Sequence, residues 1–502
     1  MKKRHALFFV VIILVASACK PSTPVATGQS ATATTIFDRD LDDRSLFHSG
    51  LITSERSSLD SLQDRSAYRI DLRINQDMLS VDGWQEVQYT NREDVPLEAI
   101  YFRLYPNISG GSVSVSGLEV AGTELDPIYE QERSALRVPL QTPLQPGEEI
   151  RIEMNFSIEL PTEMSGNYGL FGSFDGILAL QELYPVIPVY DDDGWSVEIP
   201  PPHGDLTHLD ASFYLVRVTA PATLTLVASG VEVERSEQDD NQVVIFAAGP
   251  ARDFYLVAGD NFEVVSTSLG ETAIHSYAPA EYHASSTLAL DAVREALRSF
   301  SERLGTYPYT EFDIVCTPMQ ALGMEYPGAT AISAAMYDET AEISGLPSQV
   351  FLESTLAHEV GHQWFYNIIG NDQVDEPWMD EAPTQYVTWV YYVDRYGKQN
   401  AEGFRDSWLG RWDRVDRDEI PIGLPSGDYD SRAYGAIVYG RGPLFIEALA
   451  QEMGQETFDT FMRAYYENYK WEIGTATGFR QLAEETCQCD LSALFDAWVY
   501  AP

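Results

Sequence analysis

Polar and apolar residues alternate with period two where the regular part of the chain begins. Tyr68-Arg69-Ile70-Asp71-Leu72-Arg73-Ile74 puts every second side chain on one face, as a half-buried strand does. Similar runs fall at Ile150–Phe156, Phe213–Val218 and Val243–Ala247, and turn signals such as Gln145-Pro146-Gly147 separate them. Many short strands joined by Pro/Gly turns predict an antiparallel saddle or sandwich over residues 61–270. No short internal repeat points to a propeller. Past about Thr272 the period lengthens. Leu288, Leu290, Val293, Leu297 and Phe300 recur near helical spacing within Ser285–Leu304, and helices alternate with loops to the end. Phe312-Asp313-Ile314-Val315 reads as a strand among them. The expected fold class is therefore α+β and multidomain, a β domain followed by a mainly helical one over 271–502.

The first residues carry a different pattern. Lys2, Lys3 and Arg4 precede an apolar run from Ala6 to Ala16, which is too short for the ~20 residues of a membrane span. The run ends in Ala16-Ser17-Ala18-Cys19, which resembles the lipobox of bacterial lipoproteins. That resemblance implies a signal peptide over 1–18, acylation of Cys19, and a place in the cell envelope, lipid-anchored to a bacterial membrane. Lys20 to Thr35 is rich in Pro, Ser, Thr, Ala and Gly and cannot bury a core. A flexible tether is expected over 19–60. No later stretch is apolar for long enough to span a bilayer.

Charge narrows the partners. The 502 residues include 77 acidic against 32 Lys+Arg, a formal net charge of −45. Such a chain repels a phosphate backbone, so nucleic acid is excluded as a partner. Hydrophobic residues at 44% and aromatics at 12% exclude a disordered acidic segment. Cys316, Cys487 and Cys489 follow Cys19; three cysteines allow at most one internal disulfide, and the spacing does not say which. Cys487-Gln488-Cys489 has no second cysteine pair, which argues against a zinc knuckle.

The chemistry concentrates in one segment. His358-Glu359-Val360-Gly361-His362 is H-E-x-x-H, and it holds two of the chain's 8 His. Residues four apart share a helix face, so both imidazoles can point at one ion. Leu352, Leu356 and Phe365 supply an apolar face, and no Pro lies between Phe351 and Ile369. A catalytic zinc takes three protein ligands and keeps a position open. Glu381, 19 residues past His362, can return beside the motif after a helix stop at Gly370-Asn371-Asp372. As a bystander it would be a solvated carboxylate in a first turn.

HEVGHQWFYNIIG followed by EPWMDEAPTQYV resembles the aminopeptidase N family of zinc gluzincins. Gly323-Met324-Glu325-Tyr326-Pro327 resembles the family's exopeptidase motif, with Tyr326 in place of Asn. The Tyr434–Tyr439 segment, ending in Gly440-Arg441-Gly442, resembles the one bearing the catalytic tyrosine. Leu494-Phe495-Asp496-Ala497-Trp498 resembles the end of the catalytic domain, and Asp380 and Ala382 depart from the usual Asn and Gly. The resemblance implies a thermolysin-like catalytic domain with one Zn²⁺ per chain on His358, His362 and Glu381. It implies Glu359 as general base and Tyr439 as oxyanion donor, with Tyr434 competing. It implies Glu325, with Gly323 and Met324, as the subsite for a peptide's free amino end, joined by Glu182 of Gln181-Glu182-Leu183-Tyr184. The chain stops where many relatives continue into a helical C-terminal domain. An endopeptidase with a more open cleft is therefore the alternative, and an inactive protein-binding scaffold the third reading.

Overall fold

The computed structural model describes residues 35–164 and 168–500. Cys19 and the signal segment lie outside the described residues. An eight-stranded sheet runs, edge to edge, Val231–Gln238, Asn241–Ala251, Ser212–Pro221, Ala67–Ile74, Ser80–Thr90, Glu149–Glu159, Ser112–Val120 and Thr123–Leu125. Its pairs are antiparallel except one: Ala67–Ile74 lies parallel to Ser212–Pro221, with Ala67 opposite Phe213. A four-stranded sheet of Phe171–Phe174, Ile177–Leu180, Thr225–Ala228 and Leu256–Gly259 and a three-stranded sheet around Ala135–Leu144 complete this half.

The central strand explains why its sequence is apolar almost throughout. Tyr214 and Val216 face a core with Tyr68 and Phe246, whereas Phe213 and Leu215 face a second core shared with the helical half. A strand covered on both faces loses the alternation that marks its half-exposed neighbours. Each such apolar side chain contributes roughly 1.5–3 kcal/mol by leaving water.

Two boundaries differ from the sequence reading. The tether does not extend to residue 60. Short 3₁₀ turns run over Ile36–Asp38, Arg44–Gly50 and Arg56–Ser61, and Phe37, Leu41, Phe47 and Leu51 are buried. Phe47 packs on Phe213 with ring centroids 4.8 Å apart. These apolar side chains are too few and too irregularly spaced to show periodicity, yet they cover one face of the sheet. The second half also begins earlier than 271. Phe262–Leu269 pairs with Thr272–Pro279 and belongs to a five-stranded mixed sheet ordered Phe262–Leu269, Thr272–Pro279, Glu311–Thr317, Ala329–Ser333, Gly323–Tyr326. The helices α1 (His283–Arg303), α2 (Ser348–Gly361), α3 (Trp378–Tyr396) and α4 (Lys398–Trp412) belong to this half. Cys487 and Cys489 form the one disulfide among the described residues, and Cys316 is a buried thiol.

Candidate active site

Helix α2 buries Leu352, Leu356 and Val360 and ends at Gly361, inside the motif. It stops well before the Gly370 turn, and beyond it the Asn367, Ile368 and Ile369 N–H groups donate five residues back, to the carbonyls of His362, Gln363 and Trp364. His362 Nδ1 lies 3.0 Å from the Phe365 carbonyl, and Gln363 Nε2 donates to the Tyr326 carbonyl at 2.9 Å. Buried Arg252 donates to the carbonyls of Asn367 and Ile368. Gly361 then lets α3 come close, since a Cβ there would lie 2.8 Å from Thr384 Cγ2.

That approach delivers Glu381. Its Oε2 lies 3.1 Å from His358 Nε2 and 3.5 Å from His362 Nε2, and the two imidazole nitrogens are 3.2 Å apart. Glu381 is 3% exposed, so it is not a solvated first-turn carboxylate. Burial opposes its charge, but the two imidazoles hold its carboxyl well below the usual range. The donor set fits zinc: two imidazole nitrogens and one carboxylate oxygen converge, and Oε2 is buried without a hydrogen-bond partner of its own. A proton on His362 Nδ1, held by the Phe365 carbonyl, leaves the Nε2 lone pair for a metal.

Three carboxylates flank this cluster. Glu359 is 4% exposed and lies against Gly323, where a Cβ would come within 2.3 Å of Glu359 Oε1. Gly323 thus contributes space for the Glu359 carboxylate rather than a side chain. Burial, and then Glu325, raise the Glu359 carboxyl well above the ordinary range. Glu325 sits on the edge strand Gly323–Tyr326, and burial pushes its carboxyl up to about 8. Gln373 Nε2 donates to Glu325 Oε1 at 3.3 Å and to Asp380 Oδ2 at 2.9 Å. Met324 and Glu325 line one cavity with Glu182 and Asp205. Glu182 arrives from the β half; it is buried, its Oε2 has no partner, and its φ of 34° is unusual for a non-glycine residue. Tyr326 positions this loop: its hydroxyl donates to Gln181 Oε1 at 2.9 Å, and its ring stacks on Tyr255 at 3.8 Å. The aromatic departure at 326 therefore ties the two halves together.

Both candidate tyrosines reach the centre. Tyr439 lies in a π-helical turn, Ile437–Arg441, and its hydroxyl donates to Glu381 Oε1. The Tyr434 hydroxyl is buried without a partner and fits against Gly204, where a Cβ would meet it at 2.8 Å. Tyr439 is thus the tyrosine bonded to the ligand set. Arg441 secures the turn from below by donating to the carbonyls of Ile420, Ala497 and Trp498.

Sequence reasoning missed residues from the loop between Trp195 and Ser212. Asp205 comes to the histidine–carboxylate cluster, its carboxylate among those of Glu325 and Asp380. Thr207 Oγ1 donates to Gln373 Oε1 at 2.5 Å. His208, 6% exposed, faces Asp372 Oδ2 at 3.1 Å and clasps the loop that leads into α3. No local pattern marks these positions; they matter only because the halves meet there. Burial alone would lower His208, but Asp372 raises it above its ordinary value. Burial opposes the Asp372 charge, yet His208 and the turn amides hold that carboxyl below its ordinary value. The His208 contribution is complete below about pH 6.5, the unfolded value, and is lost as pH rises through the raised one. The Asp372 contribution is present above its unfolded value of about 4 and is lost as pH falls through the lowered one. The clasp therefore acts fully between about pH 4 and 6.5. Asp372→Asn keeps the turn acceptor and removes the charge. It is expected to cost about 3 kcal/mol at pH 6 and clearly less at pH 9, read by denaturant melts. Equal losses at both pH values would refute the clasp.

Parts of the chain are similar to known proteins. Residues 288–498 match the peptidase family M1 domain. Aminopeptidase RNPEPL1 of Mus musculus is 29% identical over 235 residues, 43% of this chain and 31% of that protein. Aminopeptidase 2 of Candida albicans is 20% identical over 77% of this chain and 42% of its own length. The chain thus spans less than half of these curated relatives. Among solved structures, an M1 zinc metallopeptidase variant from Deinococcus radiodurans superposes with a TM-score of 0.65 at 19% identity, covering 87% of this chain and 94% of that one. A complex of that variant with the substrate Tyr-Ser-Ala gives a TM-score of 0.63 at 18% identity over 88% of this chain and 95% of that one.

Proposed function

We infer that this chain, which carries a peptidase family M1 domain over residues 288–498, is a zinc-dependent aminopeptidase removing N-terminal residues from peptides. One observation carries the reading. A three-ligand cluster lies beside a buried general base and a buried carboxylate suited to an ammonium group, the oxygens of Glu359 and Glu325 and a ring nitrogen of His362 all within 4.8 Å of one another. His358, His362 and Glu381 would hold the ion. Bound there, zinc supplies Lewis acidity that lowers the pKa of water toward 7 and polarises a carbonyl. Glu359 takes the proton of the attacking water and passes it to the leaving amine. The Tyr439 hydroxyl donates to the carbonyl oxygen as negative charge develops there. Glu325 and Glu182 accept the α-ammonium, which fixes the first residue at the centre. The neighbour's complex with Tyr-Ser-Ala supports peptides as the substrate class.

The test compares amino-acid anilides with N-acetylated peptides, with and without a chelator. Cleavage of free-amine substrates only, abolished by chelator and restored by zinc, is the expected result. Cleavage inside blocked peptides would favour the endopeptidase, and no cleavage at all would favour the scaffold.

The same reading places the mature chain in a bacterial cell envelope, anchored through acylated Cys19, with Lys2–Arg4, the short apolar run and the small residues before Cys19 as support. Palmitate labelling of the expressed full chain should be lost in Cys19→Ser. Labelling that survives the substitution would rule the anchor out.

A further inference from the structure

We propose that Arg411 is a positioning residue for the reaction, setting the Tyr439 hydroxyl where negative charge develops by tying its turn to the helix that carries Glu381. This rests on the aminopeptidase reading above and deepens it. Arg411 lies in the last turn of α4, and its Nη1 donates to the Tyr439 carbonyl at 3.2 Å and to Gln385 Oε1 at 3.1 Å. Gln385 is buried on α3, one turn past Glu381 and on the same face. The Tyr439 hydroxyl in turn donates to Glu381 Oε1. The contacts therefore close a circuit, from Glu381 along α3 to Gln385, across Arg411 to the Tyr439 backbone, and back through the tyrosine ring to Glu381. The guanidinium carbon lies 6.0 Å from the centre of that ring, so one cation holds the tyrosine's carbonyl and stands over its face.

The packing is shaped around this arrangement. Gly440 follows the tyrosine, and a Cβ there would come within 2.9 Å of the Trp408 carbonyl and 3.0 Å of Arg411 Cβ. Glycine thus lets α4 lie directly against the π turn. An arginine at 411 needs a reason beyond packing, because both of its acceptors are uncharged oxygens. A half-buried guanidinium held only by neutral groups gives up hydration without a carboxylate to offset it. What the guanidinium supplies is direction, since its planar donors point along fixed lines and join two elements at once. The hydroxyl is the far end of the tyrosine side chain, so a small turn of the backbone displaces it most. A misplacement of about 1 Å can cost about 10²-fold in rate. Arg441 holds the same turn through the carbonyls of Ile420, Ala497 and Trp498, whereas Arg411 reaches the tyrosine itself.

Arg411→Met removes the donors and keeps an unbranched side chain, and Tyr439→Phe removes the hydroxyl that Arg411 places. Both are made singly and together in the zinc-loaded full chain and assayed on a leucyl anilide. Arg411→Met is expected to lower kcat by about 30-fold, with KM within about threefold and zinc content unchanged by metal analysis. Added to Tyr439→Phe, it should cost no more than about threefold further, because the hydroxyl it acts through is gone. Arg411→Lys can still donate to the Tyr439 carbonyl and should restore kcat to within about fivefold of wild type. An unchanged kcat in either single variant, a loss confined to KM, or a comparable loss on top of Tyr439→Phe overturns the proposal. Should Arg411→Met fail to fold, Arg411→Gln enters the same cycle with the same criteria. If the wild type cleaves no free-amine substrate, the aminopeptidase reading fails instead, and crystal structures of the wild type and Arg411→Met decide the positioning alone. The Tyr439 hydroxyl should leave Glu381 in the variant, and a hydroxyl that stays there overturns it.

Discussion

Glu359→Gln is expected to keep one zinc per chain and to lose activity by about 10³-fold or more in kcat, with KM little changed. Glutamine has nearly the shape of glutamate, so the packing against Gly323 survives and the ligands His358, His362 and Glu381 are untouched. What disappears is a group able to take a proton and return it. General acid–base catalysis contributes typically 10²–10⁴-fold, and in the proposed mechanism Glu359 serves in both the attack and the leaving step. Its burial at 4% exposure means that no bulk water substitutes for it. Metal analysis and steady-state kinetics on the same preparation decide the matter. Activity within tenfold of wild type, with zinc retained, would exclude Glu359 as the base.

The sequence showed the ligands more clearly than the architecture around them. H-E-x-x-H is local, and one helical turn brings its two imidazoles together whatever surrounds it. Glu381 needed tertiary help, which the Gly361–Thr384 contact supplies. The strands of the eight-stranded sheet were legible where one face meets water, as in Tyr68–Ile74. Most of the five-stranded sheet of the catalytic half was not. Ala329–Ser333 is buried at every position, so it shows no alternation to read. Asp205, Thr207 and His208 lie in a segment without regular secondary structure, and their role exists only because the β half presses on the loop before α3. The acidic surplus of −45 excluded nucleic acid from the start. At the site it takes a sharper form, a cavity lined by Glu182, Asp205 and Glu325.

Glu325→Gln separates the exopeptidase from the endopeptidase. The substitution preserves volume at a position that is 6% exposed, and it removes the carboxylate that would pair with the substrate's ammonium. A desolvated charge pair broken on one side loses typically 2–5 kcal/mol, and about 3 kcal/mol corresponds to roughly 10²-fold. The kcat/KM for a leucyl anilide should therefore fall by about 10²-fold, mostly through KM. An N-acetylated counterpart has no ammonium to lose, so its already slow cleavage should change by less than about threefold. The ratio of the two rates is the informative quantity, because it cancels any general loss of folded enzyme. The loss should be partial, since Glu182 still faces the same cavity with an unpartnered oxygen. Glu182→Gln added to Glu325→Gln should then remove most of the remaining preference for a free amine, a larger loss than either change alone. Equal slowing of the free-amine and blocked substrates would mean that Glu325 shapes the cleft without holding the chain end. The metal cluster would then serve an enzyme that cuts within peptides.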